Sequence, residues 1–201
     1  VSPTSFIQST HNTISSNIAL LCKCHAHNNT FSHKGFSFES ALTDARLLSA
    51  ENVDNILVGA YDEVSAYRYD YMKYMGELRS DPCSNLDIYS AGNRGIINGE
   101  GASFFVLSKN IGAKTYGTIA DCKMFYKPET TGEIRNRIEL FLKENNRSLS
   151  DIDVVITGIS GDPQADEPKL ELNRNFFTAS TIAAYKHLSG EYMTSSAFAF
   201  W

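Results

Sequence analysis

The stretch "FSHKGFSFESALTDA", residues 31–45, constrains the fold more than any other part of this sequence. It predicts a brief strand, a tight turn and then a helix that ends near Glu51 or Asn52, with Ser37 as a candidate N-cap. Apolar residues recur at helical spacing along it: Phe38, Ala41, Leu42, Ala45 and Leu48. The segment "NILVGAYDE" follows, and its apolar run from Ile56 to Ala60 favours a parallel strand covered on both faces. Together these segments predict a right-handed strand-helix-strand unit.

The rest of the chain continues this alternation of helices and strands. A helix is predicted from Thr13 or Ser15 to Cys22, and a strand from Ala102 to Ser108. Further predicted elements are a strand in "TYGTIADCKMFY", a helix in "TTGEIRNRIELFLKENN", a strand in "DIDVVITG", a surface turn in "GDPQADEP" and a C-terminal helix of small and apolar residues. The pattern predicts one α/β domain over residues 1–201 with a mixed sheet.

Composition excludes several classes of function. The net charge of −5, with no clustered basic face, argues against nucleic-acid binding. No apolar run is long enough to span a membrane and no signal-peptide pattern opens the chain, so a cytoplasmic location is expected. The cluster Cys22, Cys24, His25 and His27 lacks a second ligand pair at zinc-site spacing, so no metal is expected. No cofactor-binding motif is present either, because "NGEGAS" lacks the Lys-Ser/Thr ending of a phosphate-binding loop.

Three landmarks together resemble the β-ketoacyl-acyl carrier protein synthases, which have a thiolase-like fold. The strand-turn-helix at 31–48 resembles their nucleophile elbow, and "NILVGAYDE" resembles the strand that follows it. "NGEGASFFVLSK" is similar to their Gly-Glu-Gly hairpin, and "YKHLSGEYMTSSAFAFW" to the start of their Lys-x-x-x-Gly-His helix. The resemblance implies a layered α/β/α fold that is incomplete at both ends of this chain.

The catalytic residues of that family are carried over one position at a time. The resemblance places the nucleophilic cysteine at Gly35, the first histidine near Ile159 and the second histidine at Glu191, while Lys186 matches the family's lysine. A glycine and an isoleucine supply neither a thiolate nor an imidazole, and a glutamate is not the same neutral donor. The resemblance therefore implies a ketosynthase homologue without the catalytic cysteine and histidines.

Such a chain resembles the chain-length-factor type of subunit, a non-catalytic partner in fatty acid or polyketide-type chain elongation. The resemblance implies two partners, an acyl carrier protein and either an active ketosynthase or a second copy of this chain. Residues 14–25 and parts of 64–78 are expected to face the dimer partner, and apolar side chains to shape an acyl pocket: Phe6, Ile7, Phe36 and Phe38.

Two other functions remain open from the sequence. One is an active 3-oxoacyl synthase or acyltransferase that uses Ser32 or Ser37 as nucleophile with His33 as base. The other is a homodimeric module that binds acyl chains or carrier protein without a role in elongation. Transfer of a labelled acyl group to the chain would favour the first, and a stable homodimer without a ketosynthase partner would favour the second.

Overall fold

The structure, a computed structural model, describes residues 2–90 and 92–201. Its helices and strands follow in the order α1 Pro3–Gln8, α2 Thr13–Leu21, α3 Ser37–Ala50, β1 Ile56–Asp62, α4 Ala66–Tyr74, β2 Gly101–Leu107, α5 Thr131–Glu144, β3 Val154–Thr157, α6 Pro163–Asn175, β4 Thr181–Ala184, α7 Lys186–Ser189 and α8 Ser195–Phe200. Short 3₁₀ turns lie at Lys34–Phe36, Asn85–Asp87 and Leu149–Asp151.

The strands of this mixed α/β fold pair in both directions, but not within a single sheet. β1 and β2 are antiparallel, with Ile56 opposite Leu107 and Asp62 opposite Gly101. β3 and β4 are parallel and start with Val154 opposite Thr181. The two pairings belong to separate two-stranded sheets within the described residues.

The core lies between helix α3, helix α8 and one face of the β1–β2 sheet. Phe38, Ala45, Val58, Ala60 and Ala197 are buried there, with Phe105 and Leu107 packed against them. Helix α3 reaches this core because its apolar residues recur at the helical period, which places them on one face.

The opposite face of the same sheet leaves large apolar side chains exposed, among them Leu57, Tyr61, Phe104 and Val106. The prediction of a parallel strand covered on both faces is therefore wrong for β1. The strand is antiparallel, and burial of one side only gives it the alternating accessibility of a half-buried strand.

Two other predicted strands do not form. Residues 28–33 and 115–126 carry no strand, because no described segment pairs with them and an isolated strand leaves its backbone groups without partners. Ser37 is the first residue of α3 rather than its N-cap.

Helix α6 replaces the predicted surface turn in "GDPQADEP". The Asp162 carboxylate caps its N-terminus by accepting hydrogen bonds from the backbone of Gln164 (2.9 Å) and Ala165 (3.1 Å). Pro163 stands at the first helical position, where its missing N–H costs nothing. The sequence indicated a turn because two prolines flank the segment, but one of them favours a helix start at this position.

Neither a membrane span nor a metal cluster was found in the part of the chain that the structure describes. None of its helices combines the length and the hydropathy that a bilayer requires. The same residues hold no group of three or more potential metal ligands; Cys22 and Cys24 are exposed, and His27 lies 3.0 Å from Asp44 instead.

Candidate functional site

The turn before helix α3 is tight, and its left-handed residue is a lysine rather than the glycine. Lys34 has a φ of 51°, whereas Gly35 lies outside the left-handed region. A β-carbon at Gly35 would find only one neighbouring atom within 4 Å, the carbonyl oxygen of Met193 at 4.0 Å. Neither backbone conformation nor packing therefore requires a glycine here, and the position has room for a side chain.

The hydroxyls and the imidazole of this turn hold its backbone. Ser37 Oγ donates to the carbonyl of Lys34 (2.7 Å) and accepts from the backbone N–H of His33 (2.9 Å). The His33 imidazole lies 3.1 Å from the Ser40 hydroxyl, one turn further along α3. The structure thus brings His33 to Ser40 rather than to the Ser37 hydroxyl, and Ser32 is exposed just before the turn.

Lys186 and Glu191 form the central charged pair of the candidate site. The lysine ammonium contacts the Glu191 carboxylate, and the two side chains are 10% and 26% exposed. Gly190 lies between them with a φ of 72°, in a conformation that strongly favours glycine. This glycine lets α7 end and the chain turn back, so that Glu191 reaches the start of the same helix.

Gly158 and Tyr185 complete the surroundings of the Lys186 ammonium. A β-carbon at Gly158 would lie 3.7 Å from Lys186 Nζ and 3.8 Å from the Tyr185 hydroxyl. That hydroxyl lies 3.4 Å from Ser195 Oγ, and burial raises the pKa of Tyr185. Tyr185 is therefore a neutral phenol beside the ion pair. It directly follows β4, and no motif in the sequence indicated that it would lie at this site.

The loop after β3 is held in place by a buried carboxylate. Asp166 is 3% exposed and accepts hydrogen bonds from the backbone of Ser160 and Gly161, both at 2.7 Å. Lys169 balances its charge at 3.1 Å. Ile159 is half-buried within this loop, while the residue that reaches Lys186 is its neighbour Gly158.

A carboxylate and a thiol also lie along helix α3. Glu39 has one buried carboxylate oxygen without a hydrogen-bond partner in the described residues. Cys122 lies beside Thr43, and burial raises the pKa of its thiol. Thr43 lies six residues after the start of α3, about 9 Å along the helix axis. The protonated thiol of Cys122 beside it is therefore too far along the helix to replace a thiol at position 35.

The proposed pocket residues differ in their burial. Phe38 is in the core, where its ring is tilted against those of Phe105 and Phe200, and the centroid of the Phe36 ring lies 5.6 Å from that of His33. Phe6 and Ile7 are exposed on helix α1. Their role as the wall of an acyl pocket remains a prediction.

Residues 1–84 match the family described as beta-ketoacyl synthase, N-terminal domain. None of the curated proteins matches the chain.

Three solved structures share the fold. A beta-ketoacyl synthase from Burkholderia phymatum is 18% identical with a TM-score of 0.72, and the match covers 96% of this chain and 51% of that one. A type II polyketide acyl carrier protein in complex with its ketosynthase (AntDE:AntF) gives 15% identity, a TM-score of 0.72, and coverage of 94% and 52%. The ishigamide ketosynthase/chain length factor is 17% identical with a TM-score of 0.64, and the match covers 100% of this chain and 53% of that one.

The fold and the family match together show what this chain is similar to. At these identities the solved structures show the fold alone, and that fold is the mixed α/β architecture of the thiolase-like proteins. The chain is similar to the β-ketoacyl synthases in this fold and, over residues 1–84 only, in sequence to the N-terminal domain of that family. It spans about half the length of the solved structures that it matches.

Proposed function

We propose that this chain is a ketosynthase homologue without the catalytic cysteine and histidines, and that it acts as a chain-length-factor-like partner in acyl chain elongation. The observation that carries the proposal is Gly35. The turn leads directly into helix α3, at the position that the resemblance gives to the nucleophile, and it offers space for a side chain that glycine lacks.

The chemistry of the neighbouring positions supports the same proposal. Acyl transfer needs a thiolate or another activated nucleophile, and decarboxylation needs donors that stabilise the developing enolate. Glu191 is an acceptor engaged by Lys186, and Ile159 is apolar. The ion pair keeps both charges occupied with each other, which suits a structural role better than proton transfer.

The surface of the chain supports a protein partner. Helices α2 and α4 expose large side chains within the two segments expected to face a dimer partner: Leu20, Leu21, Tyr67 and Tyr74. Tyrosine and leucine side chains bury much apolar area when a partner covers them. We propose that the partner is a ketosynthase with an intact cysteine or a second copy of this chain, and that an acyl carrier protein delivers the substrate.

The test is an acyl-transfer experiment read by intact mass. The purified chain is incubated with an isotopically labelled acyl-acyl carrier protein, alone and together with a cysteine-containing ketosynthase. We expect no covalent acyl adduct on this chain. We also expect the ketosynthase to make products of a different chain length in the presence of this chain than in its absence.

Two outcomes would overturn the proposal. An adduct on Ser32, Ser37 or another residue, lost in the His33→Ala variant, would establish the acyltransferase alternative. A stable homodimer that binds acyl carrier protein but leaves the ketosynthase products unchanged would establish the binding module. Ser32→Ala and Ser37→Ala would identify an acylated serine, and Ser150→Ala, which removes an exposed hydroxyl outside the site, is their matched control.

A further inference from the structure

A cavity of about 330 Å³ lies between the segment after α4 and the segment before β2. Most of its wall is apolar or aromatic, with a few polar residues between: Val64, Tyr69, Leu78, Arg79, Asp81, Cys83, Ile96, Ile97 and Asn98. A parallel bridge between Leu78 and Ile96 joins its two sides, so the cavity is built on paired backbone. Its size falls at the lower end of small-molecule sites.

The polar groups of this cavity lack partners to an unusual degree. Arg79 Nε and Nη1 and Asn98 Nδ2 and Oδ1 are buried without a hydrogen bond in the described residues. These are four of the six such side-chain atoms recorded in that part of the chain. Buried polar groups are nearly always paired, so their concentration at one cavity points to a missing occupant.

Arg79 is already fixed in place by its third nitrogen. Nη2 donates to the carbonyls of Ile88 (3.3 Å), Asn93 (3.3 Å) and Gly161 (2.9 Å). Arg79 forms no salt bridge with a carboxylate of the described residues, and Asp81, which lines the same cavity, accepts a hydrogen bond from Asn93 Nδ2 at 3.3 Å. A held guanidinium without a counterion is a preorganised receptor for an anion.

We propose that this cavity binds a small molecule with one carboxylate and a short apolar part. Arg79 and the Asn98 amide pair with the carboxylate, and Val64, Leu78 and Ile97 contact the apolar part. Phosphate fits this wall poorly, because the apolar side chains offer no hydrogen bonds to its remaining oxygens. The cavity adjoins the Lys186–Glu191 pair, because a backbone bridge joins Asn98 to Glu191, but the proposal does not depend on the function proposed above.

Cys83 provides the readout, since its thiol lines the same cavity. The full chain is alkylated with N-ethylmaleimide in the presence of sodium hexanoate or hexan-1-ol at constant ionic strength, and labelling is measured for each cysteine peptide. The exposed Cys22 and Cys24 serve as internal controls. For a ligand of this size we expect half-maximal protection of Cys83 at about 1 mM hexanoate, with protection by hexanol at least about fivefold weaker.

The Asn98→Leu variant tests the polar contact without disturbing Arg79. Removing two buried atoms that lack partners is tolerated, so the variant should fold and require at least about threefold more hexanoate. Asn136→Leu, the same change on the exposed face of α5, should behave as the unmodified chain. Absence of Cys83 protection at about fifty times the expected concentration, equal protection by hexanol, or an unchanged response in Asn98→Leu would each overturn the proposal.

Discussion

The ion pair between Lys186 and Glu191 gives the sharpest test of the candidate site. Replacing Glu191 with glutamine keeps the shape of the side chain but removes the charge that balances Lys186. Replacing Lys186 with methionine keeps most of the stem and removes the ammonium. The two single variants and the double variant form a double-mutant cycle.

The expected magnitudes follow from the accessibility of the two groups. Exposed pairs contribute about 0–1 kcal/mol, whereas breaking a fully buried pair costs about 3–5 kcal/mol. Lys186 is 10% exposed and Glu191 26%, so the pair lies between these limits. We expect Glu191→Gln to lower the free energy of unfolding by about 2 kcal/mol, because the nearly buried ammonium loses its counterion. Lys186→Met should cost about 1 kcal/mol, since the carboxylate it leaves is more hydrated.

Urea unfolding and thermal melting measure these changes. A loss of about 2 kcal/mol corresponds to a fall in Tm of about 4–8 °C for a domain of this size. The double variant should be no less stable than Glu191→Gln alone, because no unpaired charge remains. Glu167→Gln is the matched control, since its pair with Arg174 is 66% and 62% exposed and should change stability by less than about 0.5 kcal/mol. Additive effects in the cycle, or an effect of Glu191→Gln no larger than that of the control, would refute the reasoning.

Three further predictions concern the turn, the close approach before β2 and the start of helix α6. Gly35→Cys should change the free energy of unfolding by no more than about 1 kcal/mol, because a β-carbon has free space there. Mass spectrometry should find the new thiol alkylated by iodoacetamide, and loss of the folded state would contradict the prediction. Gly99→Ala should lower the free energy of unfolding in urea by about 3 kcal/mol, because its β-carbon would overlap the Ser189 carbonyl oxygen and lie 2.8 Å from the Gly190 Cα. A variant as stable as the parent would show that the two segments can move apart. Hydrogen bonds, first from the Gly95 backbone, lower the pKa of Asp162. Its contribution to the free energy of unfolding is therefore complete above the unfolded pKa near 4 and is lost as the pH falls through the folded pKa. Asp162→Asn should reduce this loss of stability in acid, and a pH dependence of stability equal to that of the parent would contradict the assignment.

Much of the fold follows from local patterns. Helix α3 and strand β2 form where their apolar spacing predicts, because each pattern only has to place one face toward a core. In the Gly-Glu-Gly segment, the Glu100 carboxylate accepts a hydrogen bond from the backbone N–H of Val64 at 2.9 Å and so joins two distant segments. The failed strand at 115–126 has the right composition but no partner, and pairing is not a local property.

The candidate site was only partly visible in the sequence. Lys186 and Glu191 are five residues apart and could be found together, but their pairing depends on the turn at Gly190. The approach of Gly158 to Lys186 joins positions far apart in the chain, and no spacing rule reports it. Arg79 and Asn98 belong to no motif, because they are distinguished only by buried side-chain atoms that have no hydrogen-bond partner among the described residues.

The sequence by itself determined the type of most elements and the chemistry available at the turn, because a residue's side chain is fixed before folding and glycine at position 35 offers no nucleophile. Only the tertiary structure decided that this position has room for a side chain, that Glu191 is engaged by Lys186, and that two nitrogens of the Arg79 guanidinium lack a hydrogen-bond partner among the described residues. The reason is physical: packing space, ion pairing and hydrogen-bond satisfaction depend on contacts between distant segments, and these exist only once the chain has folded.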